Sequence, residues 1–192
     1  MEVIGVSKEY KSKAVFSNIS ISFDRGVYHL KGKNGTGKSV FCRCLLGLEE
    51  FSSGEIKDKG KKVLYLPNTP LGEEWLNWDE NVDLLLYYFG LKLDDELKDD
   101  IYKKLGIQNK NSNYDVMSLG TTMKLGMVLI YIKEYWDLLV VEEVISHLDV
   151  DSSRSIVEEL EERAREGTTV ILVDHNLDTK DDELWNEIKM GD

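Results

Sequence analysis

No apolar run in the sequence approaches the roughly 18 residues that a membrane-spanning helix needs, so the chain is expected to lie outside a bilayer. Positive charge is in short supply: 24 Lys and Arg stand against 36 Asp and Glu, a net charge of −12. Such a surface repels polyphosphate and argues against a nucleic-acid partner, because that affinity comes mostly from Lys and Arg on phosphates. Nucleotide binding stays open, since a few local donors suffice for it. Cysteine is scarce too. Cys42 and Cys44 lie two apart, which on a helix turns them to different faces, so neither a disulfide nor a metal pair is natural. They are expected to be small core residues in a reducing compartment. The opening Met-Glu-Val-Ile-Gly-Val lacks the basic region and apolar stretch of a signal peptide, so a cytosolic setting is expected. Internal repeats and low-complexity segments are absent. With 192 residues, 42% of them hydrophobic, one domain with a real core is the expectation, with room for a subdomain.

Residues 32–39 read Gly-Lys-Asn-Gly-Thr-Gly-Lys-Ser, the phosphate-binding pattern G-x-x-x-x-G-K-[ST] at Gly32, Gly37, Lys38 and Ser39. Val27 to Leu30 before it reads as a strand, and Val40 to Leu46 after it as the start of an apolar helix. Glycines let the loop curl so that successive N–H groups form an anion nest, and the helix dipole adds positive potential there. The nucleotide-binding set is therefore Lys33, Asn34, Gly35, Thr36, Gly37, Lys38, Ser39 and Val40. Lys38 would bridge the β- and γ-phosphates, and Ser39 would offer Mg²⁺ a hydroxyl, the hard oxygen it requires. The plain alternative is a Gly-rich turn with a solvated lysine; strand and helix signals on both sides weigh against it.

Around the loop, residues 2–31 alternate apolar and polar in short runs, which predicts antiparallel strands with one wet face. Tyr10 falls in the connection between the first two. It could stack on a base or be an ordinary loop tyrosine, and spacing alone favours the latter. Residues 55–57 and 63–66 are strand-like, with Pro67 ending the second. Helices are predicted from Asp79 or Asn77 to Gly90, over 94–105, and over 121–135, with no strand between them. This suggests a helical subdomain, about 71–135, inserted into a core formed by 1–70 and 136–192. Leu138 to Val141 is a continuous apolar run, as a central parallel strand needs. A helix over 151–166, a buried strand over 168–173 and a final helix or strand pair complete a parallel α/β order.

Glu142 and Glu143 end that central strand. Two carboxylates there suit Mg²⁺ and water chemistry, one in the metal shell and one acting on the attacking water, whereas a solvated acidic turn is the alternative. His175 ends the next strand, within geometric reach of a γ-phosphate; a lone histidine there would more often be structural, and its place in the set favours function.

Together these residues resemble the nucleotide-binding subunits of ATP-binding cassette (ABC) transporters, over nearly the whole chain. Tyr10 corresponds to the aromatic A-loop, Gly32–Ser39 to Walker A and Pro67-Asn68 to the Q-loop. Residues Met117-Ser118-Leu119-Gly120-Thr121 correspond to the signature, Leu138–Glu142 to Walker B and Glu143 to the catalytic glutamate. Ser146-His147-Leu148-Asp149 is the D-loop, and His175 the switch histidine. The resemblance implies a P-loop NTPase core with a mixed sheet, an N-terminal antiparallel β-subdomain and an inserted helical subdomain. It implies that two subunits, identical or different, sandwich two ATP molecules with Mg²⁺. Each ATP would lie between one P-loop and the other subunit's signature residues Ser118, Leu119, Gly120 and Thr121, with Asp149 in the D-loop. Mg²⁺ would be held by Ser39, Asn68 and Glu142. A separate membrane-spanning permease would dock on the helical subdomain, which places the chain on the inner face of the membrane.

Several positions depart from the family pattern. Asn68 stands for glutamine, Glu142 for aspartate, Val40 for Ser or Thr, and Lys124 for a common arginine. In the signature Leu119 stands where glycine is usual and Thr121 where glutamine is. If position 119 required φ > 0, leucine would cost on the order of 1–2 kcal/mol there. Retained binding with slow or partner-dependent hydrolysis is the expectation. Two other readings compete with a transport ATPase. One is a non-hydrolysing ATP-dependent switch. The other is a DNA-maintenance or translation ATPase of the same superfamily, which the acidic charge and the lack of a coiled-coil insertion or second cassette disfavour.

Overall fold

A computed structural model describes residues 1–11, 13–175, 177–180 and 182–191. Strands β1 (Glu2–Tyr10), β2 (Lys13–Ser22) and β4 (Ser53–Lys57) form an antiparallel sheet in the order β2-β1-β4. Strands β3 (Gly26–Lys31), β5 (Val63–Leu66), β6 (Leu138–Glu142), β7 (Thr169–Val173) and β8 (Trp185–Lys189) form a second sheet, ordered β5-β6-β7-β3-β8, with every pairing parallel. The expected mixture of strand types is thus divided between two sheets. Alternation led residues 27–30 to be grouped with the wet antiparallel strands, but β3 is buried along Gly26 to Leu30 and pairs in parallel on both sides. Its polar member, His29, is tolerated there because both ring nitrogens are bonded, Nε2 to the Asp174 carbonyl at 2.8 Å and Nδ1 to the Thr179 hydroxyl at 2.9 Å.

The continuous apolar strands still obey a period of two. Leu138, Val140, Ile171 and Val173 join the core shared with Val3, Val6, Phe16, Phe23 and Phe41. Leu139, Val141, Val170 and Leu172 face the opposite core, with Val82, Ile101, Leu129 and Ile156. One face is therefore covered by α1 (Lys38–Leu46) and the antiparallel sheet. The other is covered by α2 (Trp78–Tyr88), α3 (Asp95–Lys104), residues 123–131 and α5 (Val150–Arg165). Cys42 and Cys44 are buried free thiols, Cys42 in the first of these cores. Burial pushes the Cys42 thiol far above its ordinary value, so it is inert.

Asn77, not Asp79, caps α2. Its side chain accepts from the Glu80 amide while Glu80 reaches back to the Asn77 amide, a capping box. Asp79 instead binds Tyr102 (2.6 Å) and the buried Lys98 (3.2 Å), tying α2 to α3. The helix predicted over 121–135 is not formed as one piece. Residues Leu119–Met123 make a short α4, and Gly126–Tyr131 continue as a 3-10 turn. Gly126 and the β-branched Val128 and Ile130 are weak helix formers. Gly126 is also pressed so close to Leu66 that an added Cβ would lie 2.7 Å from its Cδ2. The segment packs as an irregular buried connector. At the carboxyl end the described residues after β7 form one strand, β8, in place of a helix or a strand pair, and Tyr10 is the last residue of β1, not part of the connection after it.

Burial holds the His29 imidazole below its ordinary pKa, with the Asp174 carbonyl opposing the shift. The unfolded chain therefore takes up this proton first as pH falls, and stability is lost below the unfolded value of about 6.5. Urea midpoints measured from about pH 7.5 to about pH 5.5 should fall more steeply in the natural chain than in His29→Gln, which cannot titrate there. Parallel curves would contradict this.

Candidate nucleotide site

Because the five strands are parallel, their carboxyl ends share one edge, and four of those ends carry the candidate site residues. The P-loop follows β3, Asn68 follows β5, Glu142 and Glu143 finish β6, and Asp174 and His175 follow β7. A crevice outside the carboxyl ends of parallel strands is where open α/β sheets bind ligands.

The loop has the geometry its glycines require. Gly37 caps α1 at φ 93°, and a Cβ added there would lie 2.6 Å from Val15 Cγ1. At Gly32 an added Cβ would meet the Met190 carbonyl at 2.5 Å. Lys38 is buried, and its ammonium bonds the loop's own carbonyls, Gly32 at 2.7 Å and Lys33 at 3.2 Å. A groove of about 380 Å³ opens beside it, lined by Val15, Asn34, Gly35, Lys38, Ser39 and Glu143 among others. A larger hollow of about 710 Å³ lies between α3 and α5, away from every motif residue.

Glu142 is buried, and its carboxylate accepts from the Tyr65 hydroxyl at 2.5 Å. Burial, then this bond, drives the phenol well above its ordinary pKa, so Tyr65 stays a neutral donor. Glu143 leaves the strand with φ 52°, a left-handed conformation that turns its side chain toward the groove. Its Oε1 lies 3.4 Å from His175 Nε2, and its Oε2 accepts from Asn68 Nδ2 at 2.8 Å.

The signature residues lie on the exposed start of α4. Ser118 caps it, accepting from the Thr121 amide at 3.1 Å, with the two hydroxyls 2.8 Å apart. Leu119 is a helical residue outside the left-handed region and 55% exposed, so the conditional strain penalty does not arise. The glycine that matters is Gly120, where a Cβ would come within 2.8 Å of the His147 carbonyl. Asp149 caps α5 through the Ser152 amide and binds Lys124 Nζ at 2.7 Å, which holds its carboxyl well below the usual carboxylate range. That pair ties the signature segment to the D-loop.

Tyr10 lies apart from the groove's lining. Its hydroxyl is bonded to Glu49, which also accepts from Arg43 Nε at 2.7 Å. The Tyr10 and Arg43 bonds lower the Glu49 carboxyl to about 2. Sequence reasoning gave no role to Tyr65 or Val15, and named His147 only as a member of the D-loop. The β5–β6 register sets Tyr65 opposite Val140, two residues before the Glu142 that it binds, a placement that local sequence pattern does not show.

The family model for ABC transporters matches residues 16–144. The chain belongs to the ABC transporter family. As an ABC ATP-binding subunit it is an ATPase of the P-loop class. It is 28% identical over 189 residues to an uncharacterized ABC transporter ATP-binding protein, YybJ of Bacillus subtilis, covering 92% of this chain and 85% of that one. It is 32% identical over 187 residues to the uncharacterized ABC transporter ATP-binding protein MJ1023 of Methanocaldococcus jannaschii, covering 93% and 69%. Its fold matches, at a TM-score of 0.73 and 17% identity, the dimeric post-hydrolysis state of the ATP-binding cassette MJ0796 bound to ADP and Pi, over 91% of this chain and 88% of that one. No helix among the described residues is long and apolar enough to cross a membrane.

Proposed function

We propose that this subunit hydrolyses MgATP at an interface between two nucleotide-binding chains and so drives a separate membrane-spanning permease. The observation that carries the reading is the meeting of Glu143, Asn68 and His175 at the mouth of the Lys38 groove. A binding-only switch would not need an oriented carboxylate there, so the non-hydrolysing alternative is not favoured.

In this reading the amides of Lys33 to Val40 cradle the triphosphate, and Lys38 leaves the Gly32 and Lys33 carbonyls for the β- and γ-phosphates. Tyr10 is the residue proposed to face the base, once released from Glu49. Glu143 accepts a proton from the attacking water, and His175 orients the γ-phosphate end of the site. Ser118, Leu119, Gly120 and Thr121 would close on the partner chain's nucleotide, beside the Asp149 loop. Mg²⁺, when bound, neutralises charge on the phosphates. The Ser39 hydroxyl and Glu142 carboxylate are the hard oxygens it prefers. Among the described residues no cluster of three His, Cys, Asp or Glu side chains could hold a metal unaided, so phosphate oxygens would complete its shell. Residues 71–135, all helical or irregular between β5 and β6, would form the subdomain that docks on the permease at the inner face of the membrane.

Steady-state hydrolysis by the purified chain, alone and with its membrane partner, tests this proposal. Absence of Glu143-dependent turnover in both conditions would overturn it.

A further inference from the structure

The D-loop carries an exposed histidine, His147, that none of the chemistry above uses. Its Nε2 lies 2.8 Å from Oδ1 of Asn68, whose Nδ2 in turn lies 2.8 Å from Oε2 of Glu143. Chemistry fixes the polarity of this chain of bonds. A carboxylate only accepts, so the amide nitrogen faces Glu143. The amide oxygen therefore faces the ring, and Nε2 must carry the hydrogen.

The histidine is held from behind by its backbone. The His147 amide donates to the Val144 carbonyl at 3.1 Å, and the neighbouring Ser146 amide donates to Asp174 Oδ2 at 3.0 Å. Gly120 packs against the His147 carbonyl with no space for a Cβ. The backbone that carries the ring is thus fixed, and Asn68 is a short, planar relay. Glu143, with three free torsions, is the flexible member. A carboxylate that must meet one water molecule loses rate when it swings.

We infer that His147 is a positioning residue for hydrolysis, acting through Asn68 to orient the Glu143 carboxylate. The inference rests on the reading of Glu143 as the base. It also changes the role expected for Asn68. Its amide donates to Glu143 while its oxygen accepts from His147, a role beyond that of a Mg²⁺ ligand. The shorter side chain suits this, since one amide plane spans both partners.

The test uses the full chain and ATP. His147→Ala should lower kcat about tenfold and leave KM within about twofold. His147→Gln, whose amide nitrogen replaces Nε2–H, should recover most of that loss. In an Asn68→Ala background His147→Ala should cost nothing further, because the relay is already cut. Full turnover in His147→Ala, or losses that multiply in the double variant, overturns the inference alone. A second readout does not depend on turnover. The ¹⁵N shifts of the His147 ring should report the Nε2–H tautomer and move toward a mixture in Asn68→Ala. Identical shifts in the two proteins would remove the contact itself. A chain showing the tautomer response but no turnover in any form would overturn the hydrolysis reading, and the positioning role with it.

Discussion

Lys38→Ala is expected to weaken MgATP binding by about a hundredfold or more, roughly 3 kcal/mol, in titration calorimetry. The side chain is buried, and it is the cation whose ammonium is drawn into the P-loop by the Gly32 and Lys33 carbonyls. In the complex that ammonium would meet phosphate oxygens in charge-assisted bonds, about twice as strong as those to neutral carbonyls. The difference drives the side chain out toward the nucleotide. The backbone nest remains in the variant, so residual weak binding should persist. Stability should change far less, by about 1 kcal/mol, because water replaces the two carbonyl bonds. Undiminished heat of binding in Lys38→Ala would remove the foundation of the site.

Glu143→Gln should leave ATP affinity within a few-fold and cut single-turnover hydrolysis by about a hundredfold or more, the range a positioned general base supplies. Glutamine has the same length and can still accept from Asn68 Nδ2, so geometry is preserved while the proton acceptor is lost. Its other end would face His175 as an amide and not as a carboxylate. The ATP-bound dimer should live longer in the variant, because turnover is what dissolves it. A loss of less than about tenfold would mean that another group takes the proton.

The fold and the order of the motifs were legible in the sequence for definite reasons. A strand, a six-residue loop and an apolar helix, with glycines at 32, 35 and 37, spell out the local structure of a phosphate-binding turn. Leu138 to Val141 could be placed in the sheet because both faces of a central strand demand apolar residues. Elsewhere local pattern was misleading. Residues 27–30 contain a histidine and a tyrosine and look half-wet, yet His29 is satisfied by bonds to Asp174 and Thr179, residues far away in sequence. Residues 121–135 have helical composition in aggregate, but close packing of Gly126 on Leu66 decides their path. The contacts among Glu143, Asn68 and His147 join the loop after β5 to the loop after β6, and no spacing rule could have announced them. Leu119 looked strained only because its backbone was unknown.

The left-handed backbone at Glu143 has a consequence for how such a chain ages in evolution. A long side chain in that conformation costs on the order of 1–2 kcal/mol, out of the 5–15 kcal/mol or so that keeps a domain folded. Glycine or asparagine would sit there more comfortably. On the reading of Glu143 as the base, turnover is what the strained carboxylate serves. A lineage released from that demand should drift toward a sturdier, silent protein, with heat tolerance rising as catalysis dies.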